Sequence, residues 1–406
     1  MHDRFIARQP ILDTRLQVWG YELLFRESDT KDTFRGSAAT SHVIANSTMI
    51  FNWSDLVGNT RAFLNFSGSE LVSGAALLLP RKQTVIEILE STVVTREVVA
   101  ACEGLRAMGY ALALDGFADL PEQRPLVPIC SYLKVDFRTT TPELQAEIGR
   151  KYASNVSTDP KLVAKKTETW DEYDRARKLH YLLFQGFFFL EPQILRRRGV
   201  PNSKISALQL LSTVQQSPLD IPAVEIILKH DPGLTYKLLR YLNSPIMERR
   251  VEIRSVANAI ALLGEQVFRR WATLVAVITP SAEKPSELIH MALTRAFLCE
   301  GIAQRMKQRE NIFEFFLVGL LSLTPAILDQ ALCDIIAELP LSNELSAALR
   351  GAGNSLRNAL DAVLAYEQAQ WQDFVAYMER LALPEDAMPV CFAAANQAAR
   401  DVISAP

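Results

Sequence analysis

Seven polar residues occupy matching places in the first half of this 406-residue chain, each at or near the end of a short apolar run. Glu22 follows the alternating stretch Leu16-Gln17-Val18-Trp19, and Asn65 ends Ala62-Phe63-Leu64-Asn65. Glu87 ends Thr84-Val85-Ile86-Glu87, and Asp115 ends Ala111-Leu112-Ala113-Leu114-Asp115. Lys134 lies within Tyr132-Leu133-Lys134-Val135-Asp136, Lys165 ends Leu162-Val163-Ala164-Lys165, and Gln185 ends Tyr181-Leu182-Leu183-Phe184-Gln185. A carboxylate among apolar residues needs a cation, a hydrogen-bond donor or water, or its pKa shifts. Glu22, Asn65, Glu87 and Asp115 are oxygen donors of the kind that suits Mg²⁺ or Mn²⁺, and Lys134 could position a water or a phosphate. Such a set could perform phosphodiester hydrolysis, in which a cation generates hydroxide and stabilises the leaving oxygen.

The elements that would position these groups repeat. Each apolar run is followed by a helix-compatible segment, and continuous apolar strands imply a sheet covered on both faces by helical crossovers. The fold class expected is α/β, a (β/α) barrel whose polar residues lie on the rim at the strand C-terminal ends. One polar residue at a strand end is ordinarily a cap; seven in phase point to a site. A turn is expected at Leu12-Asp13-Thr14 and a helix over 37–49. Another helix runs between Thr95 and a stop at Gly109 with the stripe Val98, Cys102 and Leu105, and Thr141-Pro142 makes an N-cap and first helical position.

Several segments then carry a resemblance: Arg8-Gln9-Pro10-Ile11, Tyr21-Glu22-Leu23-Leu24-Phe25-Arg26, Ile86-Glu87-Ile88-Leu89-Glu90-Ser91, Leu114-Asp115-Gly116-Phe117, Leu133-Lys134-Val135-Asp136, Val163-Ala164-Lys165-Lys166-Thr167-Glu168-Thr169 and Gln185-Gly186-Phe187. In this order they resemble the EAL domain, a family of bacterial cyclic di-GMP phosphodiesterases, over about residues 1–195. The resemblance implies that Glu22, Asn65, Glu87 and Asp115 are metal-ligand positions and that Lys134 lies near the nucleophilic water. It places Gln9, Arg26 and Gln185 near the dinucleotide, and Glu168 at the second glutamate of a later motif. Two positions depart from the family pattern. Gly116 replaces an aspartate and Lys165 a glutamate; losing two negative charges and adding one positive moves the local charge by three. Two unit charges ~4 Å apart at an effective dielectric of about 20 interact by about 4 kcal/mol. Beside a divalent ion one ammonium therefore removes most of the affinity, and two-metal catalysis is not expected. The barrel is expected to be truncated or modified, because the chain turns to Leu195-Arg196-Arg197-Arg198-Gly199-Val200-Pro201 soon after Gln185. The boundaries expected are a degenerate EAL-like domain over 1–195, a linker over 196–202 and a second domain over 203–406.

From Ser203 the strand rhythm gives way to helical spacing. Leu208, Leu211 and Val214 form one stripe, Asp220 and Pro222 announce a helix, and Asp231-Pro232 is a cap followed by Leu234, Leu238 and Leu242. Further helices are expected over 256–263, 267–277, 287–306, 312–321, 326–338, 343–349, 356–366 and 388–403. His230-Asp231 spells a metal-binding dipeptide, but Pro232 follows and capping accounts for Asp231. His290, Trp271 and Phe268 read as core. The segments Lys229-His230-Asp231-Pro232-Gly233-Leu234, Leu239-Arg240-Tyr241-Leu242-Asn243-Ser244-Pro245 and Ala261-Leu262-Leu263-Gly264 resemble the all-helical HDOD domain, which looks like the HD phosphohydrolase fold without its metal ligands. Ser322 and Leu323, in Gly319-Leu320-Leu321-Ser322-Leu323, stand where active relatives carry ligands.

Composition narrows the classes further. A formal charge of -3 offers no basic footprint, so no nucleic-acid polymer is expected. Five scattered cysteines imply neither disulfides nor a zinc site. No apolar run reaches the ~20 residues of a membrane span. A cytoplasmic, non-catalytic bacterial signal-transduction protein is expected, acting through contacts with other signalling proteins. Cyclic di-GMP is the candidate ligand through Gln9, Arg26, Lys134, Lys165 and Gln185. The metal positions would be vestigial and no cofactor is expected. A homodimer could form through apolar helices such as 356–366. The alternative is a weak phosphodiesterase holding one Mg²⁺ or Mn²⁺ on Glu22, Asn65, Glu87 and Asp115.

Overall fold

A computed structural model describes residues 4–27, 57–152, 160–192, 202–230, 234, 260–261, 263–278, 284–306, 312–339 and 341–404. The expected helix over 37–49, the 196–201 part of the linker, the Asp231-Pro232 cap with Leu238 and Leu242, and most of the 256–263 helix lie outside the described residues. Two compact units result: one built on Met1–Glu191 together with Leu364–Phe374 and Pro384–Val390, the other on the remaining helices.

The first unit contains a closed barrel of eight strands: β1 (Arg4–Asp13), β2 (Val18–Glu27), β3 (Arg61–Phe66), β4 (Thr84–Ile88), β5 (Ala111–Leu114), β6 (Tyr132–Asp136), β7 (Lys161–Lys165) and β8 (Leu183–Gln185). β1 runs antiparallel to both its neighbours, β2 and β8, and the remaining pairs are parallel. The β1–β2 turn is tightened by Asp13, whose carboxylate accepts from the backbone N–H groups of Arg15 at 2.8 Å and Gln17 at 2.9 Å. Local chemistry also starts the crossover helices. In α1 (Gly68–Ser73) and α4 (Trp170–Lys178), Ser67 with Glu70 and Thr169 with Glu172 form capping boxes. α2 (Arg96–Ala107) is capped by Thr95 and buries the expected stripe Val98, Cys102 and Leu105, and α3 (Pro142–Tyr152) begins at the expected proline.

The barrel core contains Ile11, Phe63, Val85, Ala113, Tyr132, Val163 and Leu183, one residue from each strand except β2. On β2 the equivalent position, two before Glu22, is Gly20. A Cβ there would lie 2.7 Å from the Arg61 carbonyl oxygen and 2.9 Å from Phe63 Cε2, so the Phe63 ring occupies the space a larger residue would need. Gly20→Val should cost about 1–3 kcal/mol by overpacking, read as a lower urea midpoint; an unchanged midpoint would mean the layer can open.

Helices make up the rest of the described chain: α5 (Asn202–Gln215), α6 (Ile221–His230), α7 (Glu265–Ile278), α8 (Ser286–Arg305), α9 (Ile312–Leu321), α10 (Thr324–Leu328), α11 (Leu332–Glu338), α12 (Asn343–Leu349), α13 (Ser355–Glu367), α14 (Trp371–Arg380) and α15 (Ala387–Ser404). Asp220 caps α6 through the Ala223 N–H at 3.0 Å. Phe268 and Trp271 are core, as expected, with ring centroids 5.6 Å apart. Two readings are corrected. The helix expected over 326–338 is two, α10 and α11, separated by Asp329 at φ 57, a left-handed backbone conformation that ends α10. The helix α14 was not anticipated, although Trp371, Phe374 and Met378 stand at helical spacing. On α13, Leu356, Leu360, Val363 and Tyr366 are buried.

Candidate functional site

Strand periodicity assembles the site. Successive side chains alternate between the two faces of a strand, so a residue two positions beyond an inward one also points inward. Two positions after Phe63, Val85, Ala113, Tyr132, Val163 and Leu183 come Asn65, Glu87, Asp115, Lys134, Lys165 and Gln185. Glu22 follows Gly20 in the same way. On β1, which runs the other way, Gln9 stands two before Ile11. An apolar layer is thus topped by a layer containing all but one of the residues expected at the site. The exception is Arg26, of which only the backbone, paired with Phe5, is described.

Register then sets partners. Gln9 faces Glu22 across β1–β2, Asn65 faces Glu87 across β3–β4, and Lys165 faces Gln185 across β7–β8. Glu22 is the hub. Its Oε1 accepts from Asn65 Nδ2 at 3.0 Å, and its Oε2 accepts from Gln185 Nε2 at 2.6 Å and from Lys134 Nζ at 2.8 Å. Gln185 Nε2 also donates to Gln9 Oε1 at 2.7 Å. Lys134, fully buried, bridges to Glu87 Oε1, and its ammonium lies 5.9 Å from the centre of the Phe63 ring. Lys165 chelates the other carboxylate, with Nζ 2.8 Å and 2.7 Å from the two Asp115 oxygens.

Two buried carboxylates share the Lys134 ammonium, and they share it unequally. Burial opposes ionisation of Glu22, but the charges of Lys134 and Lys165 and the hydrogen bonds from Lys134 and Gln185 hold its carboxyl well below the usual carboxylate range. Burial pushes Glu87 up to about 8, reinforced by the negative charge of Glu22 and only partly offset by Lys134. The asymmetry has a structural cause: Glu22 has three donors, whereas Glu87 has Lys134 on one oxygen and nothing on Oε2. Asn65, opposite Glu87 in register, likewise has a buried Oδ1 without a partner. Both ammoniums are held protonated above the ordinary lysine value: burial works against each, but the surrounding carboxylates outweigh it.

The layer holds three carboxylates and two ammoniums, a net charge of -1 with every group ionised and zero with a proton on Glu87. Among the described residues, no group of three or more His, Cys, Asp or Glu side chains is arranged to hold a metal ion. Each carboxylate in the layer carries an ammonium contact, and both oxygens of Asp115 are taken by Lys165. Gly116 has φ +60, and a Cβ on it would lie 2.5 Å from Cγ and Cδ of Glu90. The Glu90 side chain thus fills the space beside Asp115 that a second aspartate would need, a role the sequence reading missed. In the helical region, Ser322 Oγ donates to the Gly319 carbonyl at 2.7 Å and accepts from Arg295 Nη1 at 3.1 Å, and Leu323 is buried. Arg295 was also missed, because its meeting with Ser322 joins α8 to the end of α9. His290 is buried in α8, 3.9 Å from Glu287.

Compared with known proteins, the chain is 32% identical over 376 residues to cyclic di-GMP phosphodiesterase CdgJ of Vibrio cholerae serotype O1, covering 92% of this chain and 87% of that protein. It is 34% identical over 380 residues to the uncharacterized protein YuxH of Bacillus subtilis, covering 90% and 91%. This chain belongs to the CdgJ and YuxH family. The HDOD domain model matches residues 200–343 of this family member, and the region before it forms the closed eight-stranded barrel. A solved EAL domain protein from Listeria monocytogenes EGD-e is 16% identical with a TM-score of 0.37, covering 46% of this chain and 87% of that one. Among the described residues, no helix is long and apolar enough to cross a membrane.

Proposed function

We propose that this member of the CdgJ and YuxH family is a non-catalytic signalling protein related to cyclic di-GMP phosphodiesterases, with output through contacts with other proteins. The observation that carries this reading is the pairing inside the barrel: Lys165 chelates Asp115, and Lys134 ties Glu22 to Glu87. A hydroxide-generating cation needs carboxylates that carry net negative charge, and here two ammoniums already offset two of the three negative charges. Retention of cyclic di-GMP as a ligand belongs to the same proposal. Its phosphates would meet Arg26 and the 18% exposed Lys165 side chain, with Gln9, Gln185 and the buried Lys134 as the layer's other candidate contacts. The HDOD domain would then supply a protein-binding surface, with the domain boundary at 196–202.

A second reading, a weak phosphodiesterase using one Mg²⁺ or Mn²⁺, is favoured by one observation, the 32% identity to a protein named for that activity. Calorimetry with cyclic di-GMP, with and without Mn²⁺, together with chromatography of the linear dinucleotide, separates the two. The expected result is no Mn²⁺-dependent product. Product formation that Glu22→Ala abolishes would replace the first reading by the second. Absence of any nucleotide binding would remove the ligand from the proposal and leave a protein-contact role.

A further inference from the structure

We infer that Lys165 is a resident counter-ion that holds the barrel's polar layer together without a metal, so that the stability of the protein is indifferent to divalent cations. The inference rests on the non-catalytic reading above and gives that same site a structural logic. Its geometry is specific. Lys165 Nζ lies 2.8 Å from one Asp115 oxygen and 2.7 Å from the other, so the ammonium sits in the fork of the carboxylate, where an ion would bind bidentately. Both side chains are largely withdrawn from solvent, 18% and 11% exposed. Their neighbours are equally constrained: Lys165 stands opposite Gln185 in register, and Gln185 in turn donates to Glu22. The positive charge of Lys165 also acts on Glu22 and Glu87. One lysine thus completes the compensation that Lys134 begins, and a divalent ion at Asp115 would have to displace it.

Removing only the ammonium should expose the difference. Lys165→Met leaves Glu22, Glu87 and Asp115 with Lys134 alone, a net charge of -2 with every group ionised, which is the charge a divalent cation matches. The experiment is thermal unfolding of the full chain in EDTA and in millimolar Mn²⁺. Wild type should melt at the same temperature in both. Lys165→Met should melt about 5–10 °C lower in EDTA and regain part of that loss in Mn²⁺. The double variant Lys165→Met/Asp115→Asn, which removes both charges, should return to within about 3 °C of wild type and ignore Mn²⁺. If Lys165→Met does not fold, the double variant still decides: recovery of a folded, Mn²⁺-indifferent protein supports the counter-ion role, and failure to recover overturns it. A wild-type melting temperature that rises with Mn²⁺, or a Lys165→Met variant as stable as wild type, overturns it as well. A Mn²⁺-raised melting temperature without nucleotide hydrolysis removes the counter-ion role alone. Mn²⁺-dependent hydrolysis removes the non-catalytic reading on which it stands.

Discussion

Lys134→Met is expected to destabilise the barrel by about 3–5 kcal/mol, the usual cost of leaving a buried charge without its partner. Lys134 is fully buried and is the only cation that contacts Glu22 and Glu87 directly among the described hydrogen bonds. Methionine keeps an unbranched apolar side chain of similar length and deletes the ammonium with its hydrogen bonds to Glu22 and Glu87, so the loss reports on electrostatics rather than on packing. Urea unfolding provides the measurement. The control is Lys134→Met combined with Glu22→Gln and Glu87→Gln, which replaces both carboxylates by amides of the same shape and should restore most of the loss. A triple variant no better than the single one would show that the layer depends on the lysine's shape and not on its charge.

Raising the pH should weaken the folded state through Glu87. In the fold its carboxyl is pushed up to about 8 from an ordinary 4.5, so between those values the folded protein keeps a proton that the unfolded chain has released. Stability falls with pH wherever the folded state binds more protons. This contribution is therefore fully favourable below about pH 4.5 and is lost progressively up to about pH 8. At about 1.4 kcal/mol per pH unit the ceiling is about 5 kcal/mol, and coupling to Glu22 makes a few kcal/mol the expected scale. Glu22 acts in the opposite direction. Its pKa is depressed in the fold, so its contribution is present above the ordinary 4.5 and is lost as the pH falls below it. Glu87→Gln should flatten the alkaline limb and leave the acid limb in place. Urea midpoints measured from pH 4 to 9 test this, and a variant whose midpoint declines with pH as steeply as wild type would show that the alkaline limb originates elsewhere.

The membership of the polar layer was legible because it depends on strand period and nothing more. Asn65, Glu87, Asp115, Lys134, Lys165 and Gln185 each stand two residues beyond an inward apolar residue, and that spacing can be read without coordinates. The helices with clear caps, at Thr95, Thr141-Pro142 and Asp220, were equally legible, since a cap is a contact between residues close in sequence. The 326–338 reading failed because a single left-handed residue, Asp329, ends one helix inside an unbroken apolar pattern. Glu90 went unnoticed for a related reason: its place beside Gly116 comes from the meeting of two strand ends.

Gln9 and Gln185 show where sequence reasoning stops. Their residue types suit contact with a dinucleotide, and the resemblance places them there, yet in the fold they bond to each other and Gln185 to Glu22. Glu22, likewise, can be identified from sequence as a buried acid that requires a positive or donating partner. The sequence alone determined which residues share the layer, because alternation along a strand is local. Only the tertiary structure decided which charge answers which: Lys134 meets Glu22 across 112 residues and Lys165 meets Asp115 across 50. Those pairings follow from barrel closure and strand register, and they direct each ammonium to the carboxylates within its reach.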